Sequence, residues 1–281
     1  MSADVPGRPS HPSRAGRDLP AALTVGLVLG AGIIVSLLML RQVFLGMVAV
    51  ATLISTIELA GALRRGAGIR VSLPPVLVGG QVMVWLSWPF GVHAVLVAFA
   101  STTLGCLAWR LRHGVDGYLR DVSASVFTSA YVPVFAAFAG MMIAPPDGGF
   151  RGLCFMIAVV ASDTGGYAAG VLLGRHPMAP RVSPKKSWEG FAGSMATGIV
   201  SGALSVSLLL GGQWWQGALF GAALVCSSTL GDLMESLIKR DLDIKDMGTL
   251  LPGHGGLMDR MDSLLPSAVV AWMLLSWFVP V

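Results

Sequence analysis

The stretch LPGHGGLMDRMDSLLPSAVVAWMLLSWF, residues 251–278, joins two kinds of chemistry. Its first half holds three glycines, a histidine, Asp259, Arg260 and Asp262, and its second half carries no charge at all. A run that apolar is long enough to cross most of the roughly 30 Å hydrocarbon layer of a bilayer, with the charged residues left at its polar edge. The rest of the chain supports that reading. Of 281 residues, 54% are hydrophobic, 12% are charged and 36 are glycine. Together with a mean hydropathy of +0.73, this composition defines an all-α polytopic membrane protein and excludes a water-soluble domain. The net charge of +4 does not point to nucleic acid, because the bases sit in short clusters between apolar runs and form no continuous stripe. Cys106, Cys154 and Cys226 are far apart inside apolar segments, without metal spacing, and are read as small packing residues.

Working outward with a window of about 20 residues, nine spans are expected, near 20–40, 43–63, 72–90, 92–110, 122–144, 151–173, 190–211, 214–235 and 263–280. The third and fourth, parted by WPFG, also suit a re-entrant hairpin. Residues 1–19, rich in Pro, Ser, Gly and Arg, read as a disordered cytoplasmic tail. The apolar run after them lacks a small-residue cleavage site and reads as a retained helix. With the N-terminus in the cytoplasm, all lysines and arginines except Arg41 and Arg151 fall on the cytoplasmic side, as the positive-inside rule requires. The chain thus divides into the tail 1–19, five spans over 20–144, and a C-terminal region 145–281 of about four spans with cytoplasmic loops. Glu58 and His93 are the ionisable residues inside the first five spans. Glu58 is one turn or so from Arg64 and Arg65, so it is read as their partner, and His93 as an interfacial residue; both are left out of the site.

Polar chemistry concentrates after Ser162, in four places on one membrane face. In ASDTGGYAAG, Asp163 stands inside a span, where an unpartnered carboxylate is costly, and Gly165 and Gly166 permit close helix approach. In RVSPKKSWEG, Ser183 precedes a proline, Lys185 and Lys186 suit phosphate, and Ser187 is placed to cap a helix whose free N–H groups favour anions. In GDLMESLIKRDLDIKD, a continuous helix would bring Asp232, Glu235, Ser236 and Lys239 to one face. Glu235 with Lys239 reads as a plain surface pair, whereas Asp232 has no base at i+4 and calls for a metal or a substrate. In the opening stretch, the glycines around His254 let backbone N–H groups approach phosphate oxygens. Asp259 and Asp262, at i and i+3, repel each other unless a divalent cation lies near, and their oxygens suit Mg²⁺.

The run SLIKRDLDIKDMGTLLPGHGGLMDRMD, Ser236 to Asp262, resembles the signature of the phosphatidate cytidylyltransferases, or CDP-diacylglycerol synthases. Ser236, Lys239, Arg240, Lys245, Asp246, His254, Gly255, Gly256, Asp259, Arg260 and Asp262 stand at its positions, and SDTGGY, SPKKSWEG and GDLMES resemble the upstream motifs. The resemblance is close over Ala161–Ser263; the N-terminal half shares only its hydrophobic spans. It implies a dimeric, all-helical enzyme of the plasma or inner membrane that makes CDP-diacylglycerol and pyrophosphate from CTP and phosphatidate, with Mg²⁺ required. It implies no nucleic-acid partner. On this reading Asp232, Asp259 and Asp262 hold Mg²⁺, alone or with a second cation, while Lys239, Arg260 and Lys185 or Lys186 clamp phosphates. His254 donates to a phosphate oxygen. Ser183, Ser236, Arg240, Lys245, Gly255, Gly256 and Asp163 complete the substrate site.

Two other functions share some of these features. A CTP-dependent lipid kinase of the polyprenol or dolichol type needs similar metal and triphosphate ligands, but passes on the γ-phosphoryl group. A transporter also uses intramembrane carboxylates, yet the inverted repeat expected of one is absent from the sequence and the polar residues crowd one face.

Overall fold

The computed structural model describes residues 30–248 and 255–280. The expected tail, the first part of the first span and His254 lie outside those residues. The helices are α1 (Gly30–Met39), α2 (Arg41–Ala67), α3 (Leu73–Leu111), α4 (Tyr118–Ser129), α5 (Phe135–Ile143), α6 (Gly148–Leu173), α7 (Trp188–Leu210), α8 (Trp214–Asp241), α9 (Met258–Met261) and α10 (Leu264–Phe278). Between α6 and α7 lies an antiparallel ribbon of β1 (Pro177–Ala179) and β2 (Ser183–Ser187). One π-helical turn, Ala130–Val134, links α4 to α5; Pro133 within it lacks the N–H that a regular turn would use. Taking α4–α5 and α9–α10 each as one continuous element, seven helices among the described residues are long and apolar enough to cross a membrane. The all-α membrane fold expected from composition is therefore observed, with the two-stranded ribbon as its small exception.

The longest helix carries two of the expected spans. A straight helix would hold Pro75 and Gly105 about 45 Å apart, yet a Cβ on Gly105 would lie 3.2 Å from that of Pro75. The Ser72 hydroxyl likewise reaches the Cys106 carbonyl at 3.4 Å. The chain folds back at Gly91, whose φ of 62° and ψ of −147° suit a residue without Cβ, two residues after Pro89. Residues 73–90 and 92–111 are thus antiparallel arms joined at the expected WPFG turn.

Two polar ends define the crossings. At one end Arg41 donates to the carbonyls of Ile143, at 3.0 Å, and of Pro145, and lies over the Trp88 ring. Arg151 there binds Asp147 at 2.9 Å and the Val279 carbonyl at 2.5 Å, and Gln216 donates to the Phe278 carbonyl at 3.3 Å. The two bases that the charge pattern leaves outside thus fasten the α1–α2 junction, the α3 tip, the α5–α6 junction and the end of α10. At the other end, Arg110 and Asp121, both buried, form a 3.0 Å ion pair between α3 and α4. The remaining donors and acceptors of that pair are occupied: Arg110 reaches the carbonyls of Gly114 and Asp116, and Asp121 accepts from the Arg70 amide and from Arg120.

Where lipid offers no hydrophobic drive between helices, small residues let backbones touch. A Cβ on Gly221 would meet the Gly198 carbonyl, one on Gly217 the Gly202 carbonyl, and one on Gly166 the Ser194 hydroxyl. Helices α6, α7 and α8 form a slab along these seams. The main apolar core lies beside it, with Leu59, Ala62 and Leu63 of α2 packed with Leu242, Met247, Met258 and Leu265.

Removing one partner of a buried ion pair leaves an uncompensated charge, so Asp121→Ala is expected to destabilise the protein by about 3–5 kcal/mol. Thermal unfolding of the purified protein in detergent measures this, and Arg110→Met/Asp121→Leu should recover most of the loss.

Candidate active site

Helices α6, α7 and α8, the ribbon and α9 surround a cavity of about 510 Å³. Asp163 of α6, Lys185 and Lys186 of β2, Asp232 of α8, and Asp259, Arg260 and Asp262 at the start of the last span all line it. The four polar stretches of the sequence meet here, across a separation of about a hundred residues. Gly166, Gly170 and Gly190 leave the room, and Tyr167, Phe191, Ser194, Ser228 and Thr229 complete the wall. A second cavity, of about 680 Å³, is lined by Ser183, Lys185, Ser236, Lys239, Arg240 and Lys245. Lys185 borders both, so Ser183, Ser236, Arg240 and Lys245, also expected to bind substrate, stand together beside the first cavity.

Local sequence explains how these groups are presented. Pro184 interrupts helix formation, so SPKKS runs as a strand, and its last residue caps α7 as expected: Ser187 Oγ accepts from the Gly190 amide at 3.1 Å. Glu189, in the first turn, accepts from the amides of Arg175, at 3.1 Å, and His176, at 3.2 Å, and pins the ribbon to the helix start. Helix α8 continues to Asp241, so Asp232, Glu235, Ser236 and Lys239 do share a continuous helix. Gly231 allows the Asp262 backbone to approach α8 closely. Gly255, at φ +80°, and Gly256, expected to touch substrate, line neither cavity; the Gly256 amide instead donates to Asp259 Oδ2 at 2.8 Å.

Most of these carboxylates already have protein partners. Lys186 pairs with Asp232, which corrects the expectation that Asp232 has only a metal or substrate to answer it; the base comes from the ribbon, 46 residues away. Lys239 bridges Glu235 and Asp259, the latter at 3.0 Å. Glu235 is only 1% exposed, so this is a buried bridge and not the surface pair that the spacing suggests. Asp259 also accepts from the Met247 amide at 3.0 Å, and Asp262 from the Ser263 amide at 2.8 Å. Glu58 departs furthest from expectation. It does not pair with Arg64 or Arg65 but accepts the Met258 amide at 2.8 Å, while Arg65 donates to the Met247 carbonyl at 2.7 Å. No spacing in the sequence links Glu58 to residues 200 positions away.

The donor set also bears on the expected Mg²⁺. Among the described residues, no three His, Cys, Asp or Glu side chains converge as a finished metal cage. Mg²⁺ does not require one, since it is commonly held by one or two carboxylates with substrate phosphates and water. Asp232 and Asp262 offer such oxygens in the cavity, whereas Asp259 is largely engaged by Lys239 and two backbone amides.

A bundle of helices long and apolar enough to cross a membrane thus holds a polar cavity in which carboxylates stand beside lysines and an arginine. The chain belongs to the cytidylyltransferase family, whose profile matches residues 21–278. It is 50% identical over 277 residues to the phosphatidate cytidylyltransferase of Mycobacterium bovis, covering 94% of this chain and 90% of that protein. Against the phosphatidate cytidylyltransferase of Mycobacterium leprae the identity is 49% over 279 residues, covering 94% and 89%. The phosphatidate cytidylyltransferase of Brucella suis is 40% identical over 126 residues, 44% of this chain and 47% of its own.

Lys239→Met removes the cation between two carboxylates. It is expected to lower stability by about 3 kcal/mol or more, read as a lower unfolding midpoint, whereas Lys239→Arg should lose less.

Proposed function

We propose that the protein transfers the cytidylyl group of CTP to phosphatidate, giving CDP-diacylglycerol and pyrophosphate. The observation that carries this reading is the meeting of all four polar stretches in one cavity at the end of apolar helices, in a chain of the cytidylyltransferase family. Phosphatidate needs no protein nucleophile. A phosphomonoester with a second pKa of about 6 is largely dianionic near neutral pH, and one of its oxygens attacks the α-phosphorus of CTP. A new P–O–P bond forms as the bond from the α-phosphorus to the bridging oxygen breaks, and pyrophosphate leaves with the electron pair.

The protein's task is therefore to align two anions and offset their charge. Lys185, Lys186 and Arg260 are placed to clamp phosphates in the first cavity, and Ser183, Ser236, Arg240 and Lys245 to hold substrate in the second. Asp232 and Asp262 would hold Mg²⁺, with Asp163 nearby, and Asp259 organises the segment that carries Asp262. When bound, the ion supplies charge neutralisation on the triphosphate and the leaving pyrophosphate. Tyr167 and Phe191 give the cavity an apolar border toward α6 and α7, suited to the lipid. The cavity opens to the cytoplasm from the plasma or inner membrane: nearly all bases gather at its end of the bundle, and the two at the other end are engaged with carbonyls, a carboxylate and a ring.

Purified protein given cytidine-labelled CTP, phosphatidate and Mg²⁺ should yield labelled lipid, while γ-labelled CTP should not; the reverse pattern would establish a lipid kinase. Asp232→Asn and Asp262→Asn should each lower turnover on the order of a hundredfold, and full activity in both would remove the metal assignment. For orientation, Ser183→Cys in a background lacking the three native cysteines should react with an impermeant maleimide from the cytoplasmic side alone.

A further inference from the structure

Glu58 stands near the end of α2, far in sequence from every residue that lines either cavity, and still it touches the segment that presents Asp259, Arg260 and Asp262. Its Oε2 accepts the Met258 amide at 2.8 Å, at the first residue of α9. A Cβ on Gly256 would lie 2.6 Å from that same oxygen and 2.7 Å from the Gly248 nitrogen, so Gly248 and Gly256 face each other across the Glu58 carboxyl. A Cβ on Gly248 would run into the carboxyl itself.

The same face of α2 holds the segment at further points. One and two turns on, at i+4, i+7 and i+8, stand Ala62, fully buried, Arg65 and Gly66. Arg65 holds the Met247 carbonyl at 2.7 Å, and Gly66 lies so close to Leu242 that a Cβ would come within 2.6 Å of its carbonyl oxygen. Met247 in turn gives its amide to Asp259. Backbone at Leu242, Met247, Gly248, Gly256 and Met258 is thus seated on α2, and Asp259 is fixed from both sides of that seat.

We infer that Glu58 is a positioning residue for the proposed reaction: it spaces and orients the backbone on which Asp259, Arg260 and Asp262 are mounted, and it makes α2 part of the active site's frame. The inference rests on the function proposed above. An acceptor at this point is what the geometry demands, so the amide of glutamine can replace the carboxyl, whereas alanine leaves the Met258 amide and both glycines without their spacer.

The test uses the full-length protein in detergent or nanodiscs. Glu58→Ala is expected to lower kcat roughly tenfold or more, since small misplacements of reacting groups carry large costs. The KM for phosphatidate should stay within about twofold, the signature of lost transition-state alignment and not of lost binding. Glu58→Gln should remain within about threefold of the unmutated kcat, because it keeps an acceptor for the amide. Hydrogen exchange gives a readout independent of activity: the Met258 amide should exchange faster in the alanine variant, with α6–α8 unchanged. Gly248→Ala, which collides with the Glu58 side chain, should lose activity alone but add little to Glu58→Ala, because the two changes act at one contact. Unmutated kcat and exchange in Glu58→Ala, or equal losses in the Gln and Ala variants, overturn the inference. If the alanine variant does not fold, Gly248→Ala with full activity overturns it. An unmutated protein that makes no CDP-diacylglycerol defeats the proposed function instead, and the exchange measurement still decides the place of Glu58.

Discussion

Carboxylates set at the edge of a low-dielectric layer must be answered by donors, and much of the site's construction follows from that. Lys239 answers Glu235 and Asp259, Lys186 answers Asp232, and backbone amides of Met247, Gly256 and Ser263 answer Asp259 and Asp262. Lys186 links the ribbon to α8 and Lys239 links α8 to the start of the last span, so satisfying these charges fixes the three relative to one another. The same network leaves lysines poised between protein carboxylates and an arriving anion.

Packing supplies the space in which this happens. Glycine seams draw α6, α7 and α8 together along part of their length, and Gly166, Gly170 and Gly190 then leave a hollow where they meet the ribbon. The apolar core beside the slab includes Met247 and Met258, which lie within the signature segment next to Asp259, so the core extends to the wall of the site.

Much of this was legible in the sequence, because it depends on local periodicity or composition. Apolar runs mark the spans, i and i+3 or i+4 spacing places Asp232 with Lys239 on one helix, and Pro184 with Ser187 foretells a break followed by a cap. The WPFG turn was legible too, and the structure reverses the chain there at Gly91 between two antiparallel arms. What escaped involves partners distant in sequence. Lys186 with Asp232, Glu58 with Met258 and Arg65 with Met247 leave no periodic trace; the first displaced a reading based on the lack of a base at i+4, the other two a reading based on the nearest opposite charge. Glu235 escaped for a related reason: spacing identifies its partner but cannot say that the pair is buried.

The glycine seams have a mechanical consequence. Backbones in direct contact have no side chains between them to rearrange, so α6, α7 and α8 serve as a stator that holds Asp163 and Asp232 at a set separation. Lys185 and Lys186 instead ride on a ribbon of two short strands, and Asp259 and Arg260 on a single helical turn. The acidic groups of the slab are thus held by long packed helices and the lysines by a short ribbon, with Lys185 at the border of both cavities.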